Sequence, residues 1–484
     1  MLLINRFFMQ RLFRKHEKTI ATPAPPSGTA SITFTGSGTV SIKGQYGYTV
    51  DGSYYWNSAP VSNIYAKSSF AVFGNDVTEF SCTGGVLSNL TLTSTTKLTT
   101  LNLYNSSCTT FSYNSTNLRN LHTFVADTTT AASTSKLNTL LSSLPSRVSK
   151  AWGSITIYSS SIMASIESSY MAKDWYFGST LLYSAPDKIP QAIKDLGIPR
   201  FWESARYGAG RRIGVLDSCF DSNLTNITYS NVTILGNFAD YTGQVADDVG
   251  VYHGNKIASC LVGNGTIYYG VCPQAKLYIG RIAPKGQSSA TFQAITNGLT
   301  SLYSSPSNPY VDTINYSYSS AASSTTANYY NWGHLLEILT DNRNTIMCCG
   351  SGNEGNINTV DYFPKCSTDA LSIGASTTDS SLASYSEGHL GLDFVARTNI
   401  AVEYKAGVKG NLNGTSGATP MFNGMYCLMK NILYYKNGTT PTIQQVLDAL
   451  KRRTYQLNID VKKEGYGNVS FNAYRATIPT VPQS

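Results

Sequence analysis

The sequence predicts a multidomain chain in which a C-terminal α/β domain, built on a mostly parallel sheet, follows a small β module and a short β solenoid. Three observations carry that expectation. From about Lys188 onward, short β-branched runs alternate with helical patterns, as strands and helices around a parallel sheet do. Between Val77 and Leu118 an apolar-x-x-apolar motif recurs about every ten residues, the spacing that stacked coils need. The length of 484 residues is too great for one ordinary domain and divides into about two to four.

Composition narrows the function classes. Charged residues make up 13% and aromatics 12%, with Ser, Thr, Asn, Tyr and Gly abundant, so the expected surface is hydroxyl-rich and nearly neutral. The net charge of +8 comes largely from the opening MLLINRFFMQRLFRKHEK and from Lys451, Arg452 and Arg453, which gives nucleic-acid binding no continuous basic stripe. The nine cysteines are scattered without CxxC spacing. They indicate neither a zinc cluster nor a disulfide framework, and are expected to fill small core positions. The opening mixes basic and apolar residues and reads as a basic arm rather than a clean signal peptide, and no run reaches the roughly 20 apolar residues of a transmembrane segment.

In chain order, residues 1–28 are read as the arm and a Pro-rich linker, and 29–75 as the small β module, in which ITFTGSGTVSIKGQYGYTVDGSYYW alternates β-formers with Gly and Ser. Residues 76–165 hold VTEFSC, LSNLTL, LTTLNL, CTTFSY and LRNLHT, then further degraded or capping copies. This unit resembles irregular leucine-rich repeats. It is expected to act as a spacer or adaptor, with a ligand-binding surface as the alternative, since repeats define architecture rather than chemistry. Residues 166–195 are read as a linker, 196–476 as the α/β domain and 477–484 as a tail.

The α/β region places its chemistry at strand ends and helix starts. The runs RRIGVLD, VDTINYS, NTIMCCG and ALSIGA are expected strands, and Asp217, Asn315 and Asn353 fall at or just beyond strand ends, where side chains leave a parallel sheet for solvent. His253 opens one helical pattern. Ser416 opens another, after the Gly-containing turn in NGTSGATP, where free backbone N–H groups and the positive end of the helix dipole favour a developing anion.

The order Asp, His, Ser in VLDS, HGN and NGTSGATP resembles the subtilase family, as do GVCPQAKLYIGRI, GSGNEG, FPKCSTDALSIGA and SYSEGHLGLDFVA. The likeness runs from about Leu196 to about Tyr474. It implies a subtilisin-like serine endopeptidase in which Ser416 is the nucleophile, His253 the general base and acid, Asp217 the orienting carboxylate, and Asn353 an oxyanion donor. It also implies that Ser317, Tyr318 and Ser319, with Gly350, Ser351 and Gly352, line an extended peptide substrate of broad apolar or aromatic preference.

The sequence departs from the family's Asp-Thr/Ser-Gly at Cys219 in Asp217-Ser218-Cys219, from its His-Gly-Thr at Asn255, and at Gly417, where a Met usually follows the nucleophile. Gly417 is expected to loosen that turn, and Cys219 to strain its own. No metal ligand set is identified. Asp247 and Asp248 read as a solvated loop, and no cofactor is required for the chemistry, structural calcium being possible but not indicated. Asn315-Tyr316-Ser317 and Asn413-Gly414-Thr415 would accept glycans beside the site, which argues for a bacterial or phage source. The expected partners are a protein or peptide substrate and, through the N-terminal region, a virion or bacterial cell-surface assembly outside the cell. Two alternatives remain: a structural or adhesion protein whose peptidase fold is inactive, and a solenoid receptor whose peptidase acts only on its own chain.

Overall fold

The computed structural model describes residues 30–126, 141, 144–478 and 481, apart from 45, 58–59, 75, 109–110, 114–117, 148–149, 158–166, 168, 219, 240–251, 285–289, 305–309, 319–326, 358–363 and 366. The basic arm, Cys219, Asp247, Asp248 and Ser319 lie outside the described residues. The chain forms two compact units, Met1–Pro145 and Ser146–Ser484.

The first unit begins as an antiparallel sheet. β1 (Ile32–Lys43) alternates buried and exposed residues and pairs with β4 (Val61–Ala66) and β5 (Ser69–Phe73) on one edge and β6 (Glu79–Leu92) on the other. β2 (Tyr46–Val50) and β3 (Ser53–Asn57) form a hairpin closed by Asp51-Gly52, both at positive φ as a two-residue turn of this type requires. The Asp51 carboxylate accepts the Lys67, Ser68 and Ser69 N–H groups, and these bonds hold its pKa down at about 2.

Beyond β6 the pairing becomes parallel. β7 (Thr100–Leu103) stacks on Glu79–Ser81, and β10 (Thr123–Ala126) stacks on β7, aligning Phe80, Leu101 and Phe124 in one buried column. β8 (Ser107–Cys108) and β9 (Phe111–Tyr113) stack on the second half of β6. The step between stacked positions is therefore about 21 residues, not ten. VTEFSC and LSNLTL fall in the two halves of one long strand, β6.

In the second unit, β11 (Gly153–Ile157) pairs in parallel with β12 (Trp175–Phe177). The stretch expected to be a linker is not solvent-exposed chain. Trp175, Tyr176, Phe177, Ile189 and Ile193 are buried, and two short helices, α1 (Leu181–Ser184) and α2 (Gln191–Asp195), follow β12. Tyr176 of this stretch packs in the main core, where Trp152 lies 4.4 Å from Tyr176 and 5.4 Å from Phe201, ring centre to ring centre.

The main sheet orders β14 (Val232–Asn237), β15 (Lys276–Arg281), β13 (Arg212–Asp217), β16 (Thr313–Tyr316), β17 (Ile346–Gly350), β18 (Ala370–Thr378) and β20 (Leu392–Arg397), all parallel. β19 (Ser381–Leu382) adds antiparallel to β18, β21 (Ile400–Lys405) and β22 (Val408–Leu412) form a separate hairpin, and β23 (Thr454–Tyr455) with β24 (Asn468–Val469) closes the far edge. The four strands expected from sequence are β13, β16, β17 and β18. After β13 the chain builds outward to β14 and β15, then returns to the opposite side at β16. The carboxyl end of β13 therefore lies where crossovers diverge, the usual place for a crevice in such sheets.

Helices α3 (His253–Val262), α4 (Phe292–Ser304), α5 (Ala327–Arg343), α6 (Thr415–Asn437), α7 (Ile443–Lys451) and α8 (Val461–Glu464) complete the unit. α6 is buried through most of its length, with Phe422, Met425 and Met429 fully inside, each side chain contributing about 1.5–3 kcal/mol by leaving water. Among the described residues no helix is long and apolar enough to cross a membrane.

Candidate active site

β13 delivers Asp217 at its last position, and the side chain is buried. α3 delivers His253 at its first, after Tyr252 turns the chain in the left-handed region. His253 Nδ1 lies 2.8 Å from Asp217 Oδ1 and 3.1 Å from Oδ2, while the Ser218 N–H donates to Oδ1 at 2.7 Å. The imidazole is about a quarter exposed, at 23%. Burial opposes its charged form, but the Asp217 charge and hydrogen bond outweigh burial, and the His253 pKa is raised above its ordinary value.

Asn255, where the family has Thr, explains how this helix start is held. Its side chain accepts from the Asp221 N–H at 2.8 Å and donates to the Tyr404 carbonyl at 2.9 Å, tying α3 to the segment after Asp217 and to β21. β21 is anchored in turn by Glu403, whose carboxylate is fully buried and accepts from the Thr225, Asn226 and Gly407 N–H groups and the Thr225 hydroxyl. Backbone donors satisfy this carboxylate in place of a cation.

Ser416 is the second residue of α6, following Gly414 at φ 77°. Its hydroxyl donates to the Ser317 carbonyl at 3.4 Å, and among the described residues no hydrogen bond joins it to His253. Ser317 and Tyr318 adjoin both groups: Ser317 touches Ser416, and the Tyr318 ring meets the His253 ring edge-on with centres 5.6 Å apart. Asn353 is exposed, and its Oδ1 accepts the Thr415 N–H at 2.9 Å, which aligns the side-chain amide beside the helix start. Asp217, His253, Ser416, Asn353, Ser317 and Tyr318 thus gather at one edge of the sheet.

Two expectations need correction. Gly417 does not loosen its turn. A Cβ there would meet Thr398 Oγ1 at 2.7 Å and the Leu412 carbonyl at 2.9 Å, so its small size admits Thr398, which donates to the Gly414 carbonyl at 2.8 Å. Gly350, Ser351 and Gly352 lie at the end of β17, but much of their backbone is already engaged. The Ser351 N–H bonds Ile373, its carbonyl accepts from Lys365 Nζ at 3.0 Å, and the Gly352 carbonyl accepts from the Glu387 N–H. Those groups are not available for strand addition by a peptide. Lys365 and Glu387, joined at 2.6 Å and buried, hold this segment, and sequence reasoning missed them.

Among the described residues no group of His, Cys, Asp and Glu could hold a metal ion. His389 is buried against the Ser372 hydroxyl and burial holds its pKa down at about 4, whereas His334 is exposed on α5.

The subtilase family profile matches residues 208–467. The chain is 25% identical over 293 residues to the major intracellular serine protease of Bacillus subtilis, covering 58% of this chain and 87% of that protein. It is 26% identical over 292 residues to subtilisin Savinase of Lederbergia lenta, covering 60% and 98%. A solved lanthipeptide protease is similar over 58% of this chain and 91% of that one, at 15% identity and a TM-score of 0.49. With the family profile spanning over half its length and the site at the expected edge of a parallel sheet, this chain belongs to the subtilase family and is a subtilisin-like serine peptidase.

Proposed function

We propose that the protein is a serine endopeptidase in which Ser416, His253 and Asp217 act as a triad. The observation that carries this reading is the short Asp217–His253 pair, with Ser416 at the start of a buried helix and Ser317–Tyr318 touching both His253 and Ser416. The Ser416 hydroxyl bonds the Ser317 carbonyl in the structure, and attack requires it to donate to His253 instead. Such catalytic bonds are often loose without substrate. Ser416 Oγ then attacks the peptide carbonyl as His253 takes its proton. The imidazolium, stabilised by Asp217, returns that proton to the departing amine, and water hydrolyses the acyl-enzyme by the same route. The Asn353 amide and the Ser416 N–H are assigned to the oxyanion. The chemistry asks for no cofactor.

The peptide is assigned to the segment from Ser317 through Ser319. For the first unit we assign attachment, with display on a virion or bacterial cell surface as the setting. Hydrolysis of an unfolded protein, read by mass spectrometry of the products, tests the peptidase reading. Internal cleavage by the wild type and none by Ser416→Ala supports it, whereas cleavage that survives Ser416→Ala contradicts it.

A further inference from the structure

Ser416 sits four residues before Pro420 in the same helix. In an α-helix the N–H of residue i+4 bonds the carbonyl of residue i, and proline has none, so the Ser416 carbonyl loses its helical donor. A buried carbonyl needs another partner. Here the Ser317 hydroxyl donates to it at 3.3 Å.

That hydroxyl is the end of a longer chain. Thr313, Asn315 and Ser317 alternate along one face of β16 and its extension, and Asn423 lies two helical turns beyond Ser416 on the same face of α6. The Asn315 Nδ2 donates to Ser317 Oγ at 3.1 Å. The Asn423 Nδ2 donates to Asn315 Oδ1 at 3.1 Å and to the Thr419 carbonyl at 3.1 Å. The Thr313 hydroxyl contacts Asn423 Oδ1, and also the Ile346 carbonyl at 2.9 Å. Thr313, Asn315 and Asn423 are fully buried. The single Thr313 proton is shared between Asn423 Oδ1 and the Ile346 carbonyl, and from Asn423 onward every link runs in one direction, Asn423 to Asn315 to Ser317 to the Ser416 carbonyl, so each bond polarises the next. Asn353 accepts the N–H of Thr415, the residue before Ser416, so the main chain is also held just ahead of the nucleophile.

We propose that Asn423 is a positioning residue which, through Asn315 and Ser317, sets the main chain of Ser416 for attack. This rests on Ser416 being the nucleophile. A buried polar side chain is costly unless satisfied, and here the two N–H groups of Asn423 and its side-chain carbonyl all have partners.

The test is steady-state hydrolysis of a peptide substrate by the full chain, with melting temperatures measured in parallel. Asn423→Ala is expected to lower kcat about tenfold with KM changed less than about twofold, because a displaced nucleophile slows chemistry without weakening binding. Thr313→Val keeps the volume at the far end of the relay, removes its first donor, and is expected to lower kcat by a smaller factor. A purely structural role predicts lower melting temperatures with kcat unchanged in the folded variants, and that result overturns the proposal. Should Asn423→Ala not fold, Thr313→Val decides, an unchanged kcat counting against the relay. A wild type without hydrolysis overturns the nucleophile assignment and the relay with it, and is distinguishable because no variant is then needed to see it.

Discussion

The two compact units differ in what their buried polar side chains bond besides the main chain. In the first, buried hydroxyls bond the main chain of a neighbouring strand: Ser106 bridges the Cys82 carbonyl and the Gly85 N–H, and the partly buried Thr99 donates to the Thr78 carbonyl. In the second, beside main-chain bonds such as those to Glu403, polar side chains also bond one another across elements distant in sequence, as in Asp217–His253, Lys365–Glu387 and Asn423–Asn315. Stacked parallel strands need only local satisfaction of their backbone, whereas chemistry needs charged and amide groups held inside low-dielectric surroundings at fixed geometry. The difference separates architecture from catalysis within one chain.

Loss of activity should be most severe at Ser416 and His253. Ser416→Ala or His253→Ala should each reduce kcat by about 10⁶, leaving only the contribution of binding and the oxyanion donors. Asp217→Asn should cost about 10⁴ in kcat, since the amide favours the wrong imidazole tautomer. Asn353→Ala should cost roughly 3 kcal/mol of transition-state stabilisation, read as a fall in kcat at nearly constant KM.

Substitution in the first unit should give the reverse pattern. Leu101→Ala removes a fully buried member of the stacked column and should cost about 2–5 kcal/mol in the melting of that unit, with kcat/KM unchanged. A parallel loss of activity would show that the two units are not energetically separate.

The smallest expected effect concerns pH. His253 must be neutral to accept the Ser416 proton, and its pKa is raised, so the acid limb of kcat/KM should have its midpoint above 6.5. The sign for stability is opposite. A histidine whose folded pKa is raised stabilises fully below its unfolded pKa and loses that contribution as pH rises through the folded value. Asp217→Asn removes the charge that opposes burial, so the residual acid limb should move down in pH.

Strand-end Asp217, helix-start His253 and Ser416, and four strands of the parallel sheet were legible because each is written in a contiguous motif. What was not legible depends on partners far apart in sequence. Asn255 reads as a neutral departure from Thr until Tyr404 and Asp221 are seen beside it. Lys365 and Glu387 lie in loops without periodicity, and only the fold brings them together. The signal for Asn423 was present but unused: a polar residue two turns after Ser416, facing the alternation Thr313, Asn315, Ser317. The ten-residue repeat was read at half its structural step because β6 carries two motifs in one strand.

Labelling with a fluorophosphonate probe, followed by intact mass, tests the central claim most directly, because such probes phosphonylate only an activated serine. The wild type should gain one probe mass, mapped to Ser416, and both Ser416→Ala and His253→Ala should remain unlabelled. A folded wild type that takes up no probe, or takes it up equally in His253→Ala, would contradict a nucleophile activated by His253.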